Sequence, residues 1–373
     1  MKILVIAHFS EGSGWAKAAI EYCLALDAAG YDVVCRSVNL TNTQAELPQK
    51  IQDFMSNDIQ NVEICIQCVL PHHLEHSTKF KKNLALIFTE TDSIKYTQWV
   101  SKLNLMDGVI VACSANAECL KNSGVTVPIY IVPVPTNTEK FSKEHKKLKL
   151  PTGDDFVFYF IGDFNRRKNL SALLKAFHGE FDKNEPVSLL IKTSKFGLTS
   201  QQCGDEVRAY CNEIKRGMKL YTSPNLYKQE VIITDHMTEE EINRLHCTCD
   251  CFVSATHGEG WAMPIHDAMG FGKWPICTQG TAMDDFLVDG ENGFLVDSTE
   301  QPCWGVLDNF NFLYSSRENW REIDIASLKD CMRIVYKNKH QYWTEKRKQN
   351  LSKHLEKFSH QNVGERLKAV LES

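Results

Sequence analysis

The chain has 373 residues, of which 43% are hydrophobic and 24% charged, and its net charge is −5 at pH 7. This length suits two globular domains, and the acidic balance gives no overall attraction to nucleic acid or to an anionic membrane. The apolar run at the N-terminus is too short for a signal peptide, and no stretch approaches the about 20 apolar residues of a membrane span. We therefore expect a cytoplasmic protein without a transmembrane segment.

Alternating strands and helices are predicted for the first part of the chain, because short apolar runs alternate with apolar stripes at helical spacing. The predicted strands are 2–7, 32–38, 62–69, 84–88, 109–113 and 129–132, and the predicted helices are 16–28 and 115–122. Buried strands that alternate with helices indicate a parallel, doubly wound sheet.

A polar, lysine-rich segment at residues 137–150 has the composition of a linker. The alternation then restarts, with strands at 156–161, 187–192, 231–234, 251–253 and 274–277, and helices at 169–177, 238–246 and 264–269. Residues 325–371 are predicted to be helical, with a break near 358–361. The fold class is therefore α/β, with two Rossmann-like doubly wound domains that face a central cleft.

The fourteen cysteines fall mostly within apolar runs, which is typical of reduced core thiols. Two clusters, at residues 65–68 and 247–251, could suggest a metal. No second pair of cysteines or histidines stands at the usual zinc spacing, so we expect no metal site, with a structural zinc ion as the alternative.

Two carboxylates, Glu259 and Asp267, stand eight residues apart around a glycine-containing loop, between a predicted strand end and a predicted helix start. In an open α/β sheet this is where ligands bind. The two acids could hold two hydroxyl-bearing parts of one ligand, and the helix terminus could take its phosphates. The alternative is that both acids face solvent at a helix start, where the helix dipole favours them.

Three cations, Arg166, Arg167 and Lys168, lie together between a buried strand and a helix. The dipole disfavours cations at the amino end of a helix, and a bound dianion would resolve the conflict. Lys168 and a neighbouring arginine suit a diphosphate clamp. Together with Glu259 and Asp267, they indicate a nucleotide-sugar site.

Gly12 and Gly14 lie in the turn between the first strand and the first helix, where glycines let a ligand approach the backbone. An ordinary tight turn is the alternative. The turn lacks the third glycine of G-x-G-x-x-G, and no acidic residue closes the second strand at residues 35–38. Both observations argue against a nicotinamide-dependent oxidoreductase.

Residues 259–276 resemble the E-x7-E element of the retaining group 1, or family four, glycosyltransferases, which have the GT-B fold. The element matches in Glu259-Gly260-Trp261, Pro264, Asp267-Ala268-Met269, Gly272 and Pro275-Ile276. Residues 166–169 resemble the R-K-[GN] element of the family, 289–296 its D-G-x-N-G-x-L-V, and 132–141 its V-P-x-G-V-D-x-x-x-F. The resemblance covers most of the chain. It implies domains at 1–140 and 152–356, with a closing helix at about 357–373 that returns to the first domain.

The resemblance also implies roles for single residues. Glu259 would contact the donor sugar, Asp267 the ribose, and Lys168 with Arg167 or Arg166 the diphosphate. Further donor contacts would come from Gly12, Gly14 and the backbone of Gly260, Trp261, Ala262 and Met263. This sequence departs from the family at three places: Asp267 replaces the usual glutamate, Asp163 replaces the arginine of a G-R pair, and Thr281-Ala282 replace two glycines.

The first domain is expected to select the acceptor. His73, or else His72, follows the strand 62–69, where the family often has a histidine that contacts the donor sugar. Glu90 follows the strand 84–88 and precedes Trp99 by nine residues, a pattern similar to one in a related subgroup. Glu90 could bind acceptor hydroxyls or act as a base. A surface or capping role for the histidines and a structural role for Glu90 are the alternatives.

Together with the resemblance, these observations favour a glycosyltransferase that moves a sugar from a nucleoside-diphosphate sugar to an acceptor hydroxyl. The resemblance implies that the reaction is metal-independent and retains the anomeric configuration. No cofactor is expected, and a UDP- or GDP-sugar is the favoured donor. The acceptor could be a glycan, a lipid-linked glycan, a protein or modified DNA. The alternatives are a nucleotide-sugar epimerase of the same fold and a non-catalytic nucleotide-sugar-binding protein.

Overall fold

The chain forms two compact units in a computed structural model that describes residues 1–40, 45–306 and 314–373. The first unit comprises residues 1–138 and 355–373, and the second comprises residues 139–354. The segment 141–151, which lies between the two predicted domains, therefore belongs to the second unit, as do Glu139 and Lys140, which were predicted to end the first domain. His145 bonds Glu240 within this unit, and the Leu148 amide donates to the Thr248 hydroxyl.

The first unit is built on one parallel sheet of six strands in the order β2-β1-β3-β4-β5-β6. The strands are β1 (Lys2–Ala7), β2 (Asp32–Ser37), β3 (Ile64–Cys68), β4 (Lys82–Ile87), β5 (Gly108–Val111) and β6 (Ile129–Ile131). The helices are α1 (Gly14–Ala28), α2 (Gln49–Ser56), α3 (Trp99–Leu103), α4 (Ser114–Ser123) and the C-terminal helix His360–Glu372. β3 and β5 are buried along their whole length, which explains why Gln67 is the one polar residue in their sequences ICIQC and GVIV.

The C-terminal helix packs closely against α1. Gly364 makes the approach feasible, because a Cβ there would lie 2.5 Å from the Ala25 carbonyl oxygen. The end of the chain thus completes the first unit.

The second unit contains a second parallel six-stranded sheet, in the order β12-β11-β10-β7-β8-β9. Its strands are β7 (Phe156–Asp163), β8 (Val187–Ser194), β9 (Val231–Ile233), β10 (Cys251–Ser254), β11 (Ile276–Thr278) and β12 (Phe294–Val296). An antiparallel hairpin of β13 (Ser298–Pro302) and β14 (Asn319–Ile323) follows. The helices are α5 (Leu170–Glu180), α6 (Ser200–Met218), α7 (Glu239–Thr248), α8 (Met263–Gly270), α9 (Ile325–Lys337), α10 (Lys339–Tyr342) and α11 (Glu345–Leu355).

The prediction of two α/β units with parallel, doubly wound sheets is confirmed. The predicted helix at 238–246 is α7, which begins with a capping box in which Thr238 and Glu241 bond each other's backbone amides. The sequence patterns did not predict α2, α3, α6, β12 or the β13–β14 hairpin. It also predicted one break in the C-terminal helical region, whereas the structure has breaks at Asn338, at Trp343–Thr344 and at 356–359.

The cysteines are all free thiols, and most are buried. Among the residues that the structure describes, no group of three or more His, Cys, Asp or Glu side chains is arranged to hold a metal ion. Within the same residues, no helix has both the length and the apolar character needed to cross a membrane.

Candidate functional site

Lys168 and Glu259 lie at the same edge of the second sheet. β7 and β10 pair in parallel, and each residue follows the end of its strand by five positions. The Lys168 ammonium lies 2.6 Å from Glu259 Oε1, and Arg167 Nη1 lies 3.3 Å from Glu259 Oε2. The Lys168 and Glu259 side chains are only 14% and 8% exposed. Two sequence motifs that are about 90 residues apart thus form one shielded charge cluster.

Backbone contacts hold the two loops of this cluster together. Arg167 Nη1 donates to the Gly258 carbonyl at 2.6 Å, and the His257 amide donates to the Arg167 carbonyl at 2.8 Å. The Thr256 hydroxyl bonds the same Arg167 carbonyl at 3.2 Å. The relative position of the lysine and the glutamate is therefore set by main-chain as well as side-chain bonds.

The charge state of Glu259 follows from this arrangement. Burial opposes ionisation of the carboxyl group, but the charges of Lys168 and Arg167 and hydrogen bonds from Lys168 and Thr256 outweigh it, so the pKa of Glu259 lies below its ordinary value. Glu259 is thus an ionised hydrogen-bond acceptor at neutral pH, which suits contact with hydroxyl groups.

Asp267 lies in the middle of α8 and is buried. Its Oδ1 atom lies 2.6 Å from the Lys140 ammonium, and both side chains are 7% exposed. The alternative of a solvent-facing acid at a helix start therefore does not describe this residue. Lys140 was missed by the sequence analysis, because nothing local in its polar segment indicates a partner so far along the chain.

The turn between the two acids has an unusual backbone. Ala262 precedes the first residue of α8 with φ 68° and ψ 54°, a left-handed conformation that costs free energy for a residue with a Cβ. Trp261 is buried between His266 and Phe286, with ring centroids 5.1 and 5.2 Å away. Gly260 and Met263 flank these two residues. Packing of the indole ring thus supports the strained turn.

The β13–β14 hairpin braces the same loops. The His257 ring stacks on the Trp320 indole at 4.4 Å, and His257 Nδ1 donates to the Arg321 carbonyl at 2.7 Å. The Arg321 amide donates back to the His257 carbonyl at 2.8 Å. Burial lowers the pKa of His257, with a smaller contribution in the same direction from Arg166 and Arg167. The sequence analysis missed this support, since neither hairpin strand has an apolar run.

In the first unit, the structure places Gly12, His73 and Glu90 after β1, β3 and β4, which are neighbouring parallel strands. Their backbone positions therefore lie along one edge of the sheet. Gly12 has φ 64°, a conformation that glycine adopts readily, and Gly14 is the first residue of α1. His73 is exposed and its ring lies 4.1 Å from the half-buried ring of His72.

His8 is a further residue at this edge that the sequence analysis did not single out. It is buried at the end of β1, where Nδ1 donates to the Val38 carbonyl at 2.7 Å. Nε2 accepts from the Leu70 amide at 3.4 Å. Burial lowers the pKa of His8, which favours the neutral ring that this bonding pattern needs. His8 thus ties together the ends of β1, β2 and β3.

Comparison with known families identifies the domain that contains the cluster of Lys168, Arg167 and Glu259. Residues 140–302 match the family described as glycosyl transferases group 1. The second unit is a group 1 glycosyltransferase domain. The match covers β7 to β12 of this glycosyltransferase domain together with Lys140, Lys168, Glu259 and Asp267. It confirms the prediction that the chain is a glycosyltransferase.

Solved structures extend the similarity to the whole chain. Anabaena HepE in complex with UDP and glucose has 13% sequence identity and a TM-score of 0.69, covering 100% of this chain and 99% of that one. Sucrose-phosphate synthase from Thermosynechococcus elongatus has 14% identity and a TM-score of 0.69, with 100% and 98% covered. The lipopolysaccharide outer core galactosyltransferase WaaB has 11% identity and a TM-score of 0.63, with 100% and 99% covered. These likenesses confirm the GT-B fold. No curated protein matches the sequence significantly.

Proposed function

We propose that the chain is a metal-independent, retaining glycosyltransferase of the E-x7-E class, which moves a sugar from a nucleoside-diphosphate sugar to an acceptor hydroxyl. The observation that carries the proposal is the shielded cluster of Lys168, Arg167 and Glu259 within a glycosyltransferase domain. HepE has been crystallised with UDP-glucose. A UDP-sugar is therefore the first donor to test, and a GDP-sugar the second.

In this proposal the charged residues divide the donor between them. Lys168 with Arg167, or with the adjacent Arg166, binds the diphosphate, and Glu259 accepts hydrogen bonds from the sugar hydroxyls. Asp267 accepts hydrogen bonds from the ribose. Lys168 is suited to its role because its ammonium group lies in a shielded site. It already stabilises one negative charge there, that of Glu259 at 2.6 Å.

The remaining predicted contacts belong to the same proposal. The backbone of Gly260, Trp261, Ala262 and Met263 surrounds the sugar and phosphate. In the first unit, Gly12 and Gly14 are assigned to the donor. His73 is assigned to the donor sugar, and Glu90 is assigned to acceptor hydroxyls or to proton removal.

The chemistry asked of these residues is charge stabilisation. As the bond between the anomeric carbon and the diphosphate oxygen breaks, the acceptor oxygen bonds that carbon and negative charge grows on the leaving diphosphate. The proton of the acceptor hydroxyl passes to Glu90, or to the leaving diphosphate if Glu90 only binds hydroxyls. Fixed cations in a shielded site stabilise such charge more strongly than they would in water. Lys168 and an arginine thus take the part that a divalent metal takes in metal-dependent transferases.

Thermal shift with UDP-, GDP-, ADP- and CMP-sugars, each with and without EDTA, tests the donor and the metal requirement. A ligand at a hundred times its Kd stabilises the native state by about 2.7 kcal/mol, so the true donor class should stand out. Loss of the shift in Lys168→Met would support the assigned clamp. The proposal fails if no nucleotide sugar shifts the melting temperature, and metal independence fails if EDTA abolishes turnover.

Product analysis separates transfer from its alternatives. Transfer gives a glycosylated acceptor, and NMR of its anomeric proton reports whether configuration is retained. An epimerase would convert the donor without any acceptor, and a non-catalytic binding protein would show the thermal shift without turnover.

A further inference from the structure

Lys140 is a buried lysine that pairs with Asp267. Its ammonium group lies 2.6 Å from Asp267 Oδ1, and the same group lies 5.4 Å from the centroid of the Phe141 ring. Taking an ammonium group out of water costs several kcal/mol unless a partner of opposite charge is well placed. Burial of Lys140 therefore depends on Asp267, and the two residues form a unit.

The backbone of Lys140 is fixed independently of that ion pair. The Phe141 ring sits over Gly270 at the end of α8, where a Cβ would lie 2.2 Å from the ring. The Phe141 ring also meets Phe271 edge to face at 5.2 Å. His145 Nε2 bonds the Lys140 carbonyl at 2.9 Å. The segment that carries Lys140 is thus attached to α8, so the ammonium group approaches Asp267 from a defined position.

We propose that Lys140 is a positioning residue that holds the Asp267 carboxylate ionised and oriented for the donor's ribose. The inference rests on the proposed function, in which Asp267 binds ribose. A buried carboxyl group without a nearby cation is favoured in its neutral form. An ionised carboxylate makes the stronger hydrogen bonds to hydroxyl groups. Asp267 is one methylene shorter than the glutamate usual in this family, and a fixed cation beside it limits the orientations of the short side chain.

The test uses the full chain and compares Lys140→Met, Lys140→Arg, Asp267→Asn and the double variant Lys140→Met/Asp267→Asn. Lys143→Met is the matched control, because Lys143 is an exposed lysine of the same segment. Calorimetric Kd for UDP-glucose, or for the donor that the thermal-shift screen identifies, is measured well below each melting temperature. The kcat and the donor KM are measured with the same samples.

We expect Lys140→Met to raise the donor Kd and KM about tenfold, the scale of a hydrogen bond to a charged group, with kcat at saturation changed less than twofold. Lys140→Arg should restore most of the affinity, because it keeps the cation. In the Asp267→Asn background, adding Lys140→Met should change the Kd less than twofold, since Lys140 acts through the carboxylate.

The inference is overturned if Lys140→Met lowers only the melting temperature and leaves the donor Kd unchanged. It is equally overturned if the effects of Lys140→Met and Asp267→Asn on Kd multiply, because Lys140 would then act independently of Asp267. Failure of the proposed function is a separate result: the wild-type chain would bind no nucleotide sugar.

Discussion

Removal of the Lys168 ammonium group should reverse the pH dependence that Glu259 gives to the stability of the second unit. In the wild-type chain the pKa of Glu259 lies below its ordinary value of 4.5. Its ionised form therefore stabilises the fold above pH 4.5, and that contribution is lost as the pH falls through the lowered pKa. In Lys168→Met, the effect of burial, which raises the pKa of Glu259, is opposed mainly by the charge of Arg167, 3.3 Å away. We expect the pKa of Glu259 in that variant to rise above 4.5.

The magnitude follows from the geometry of the pair. Removal of one partner of a buried ion pair costs about 3–5 kcal/mol. Arg167 still contacts the second carboxylate oxygen, so we expect Lys168→Met to lower the free energy of unfolding by about 3 kcal/mol at pH 7, the low end of that range. At pH 4 the carboxyl group of the variant is protonated and the loss should be much smaller. The free-energy difference between wild type and variant should therefore grow from pH 4 to pH 7.

Urea unfolding followed by tryptophan fluorescence measures this difference, because five of the seven tryptophans lie in residues 139–354. The control repeats Lys168→Met in the Glu259→Gln background, where the difference should no longer depend on pH. An equal loss of stability at pH 4 and pH 7 would refute the reasoning, as would a pH-dependent loss that persists in the Glu259→Gln background.

Three further substitutions test other parts of the second unit. Ala262→Gly should stabilise the chain by about 0.5–1 kcal/mol, because glycine relieves the left-handed backbone; a lower melting temperature would contradict this. Glu230→Gln should cost about 3–5 kcal/mol in urea unfolding, since it leaves the fully buried Lys215 without the carboxylate 2.7 Å away; adding Lys215→Met should recover most of the loss. Trp320→Leu removes the stack on His257 and should raise the donor KM severalfold with the fold kept by circular dichroism; an unchanged KM would remove the hairpin from the site's support.

The sheets could be predicted because their strands are buried on both faces. β1 and β5, for example, are almost continuous apolar runs, and such runs are visible without knowledge of the fold. α6 was missed for the opposite reason. It is 19 residues long, but it buries only a sparse stripe that includes Cys203, Val207 and Cys211. The hairpin strands are polar, with sequences STEQP and NWREI, and only their pairing with each other identifies them.

In the candidate site, too, the placement of some residues could be predicted from the sequence and that of others could not. Lys168 and Glu259 could be predicted because each follows a recognisable strand, and neighbouring parallel strands end at one edge. Lys140 precedes Asp267 by 127 residues and lies in a lysine-rich segment with no local pattern. Its contact depends on how that segment attaches to α8, and this is decided by the Phe141 ring over Gly270. A tertiary contact of this kind leaves no periodicity or spacing from which it could be inferred.

The cations at the amino end of α5 have a second explanation besides a bound anion. From the sequence, a bound dianion would offset cations that the helix dipole disfavours. The structure provides a carboxylate of the protein in that place, because Glu259 lies within 2.6 Å of Lys168 and 3.3 Å of Arg167. Asn169 caps α5, so the orphan amides of the helix are partly satisfied as well. Lys168 and Arg167 therefore have an anionic partner within the protein, and under the proposed function Glu259 keeps these cations in place until a diphosphate shares them. Under the proposed function, the same carboxylate that contacts the sugar also preorganises the groups that stabilise its leaving group.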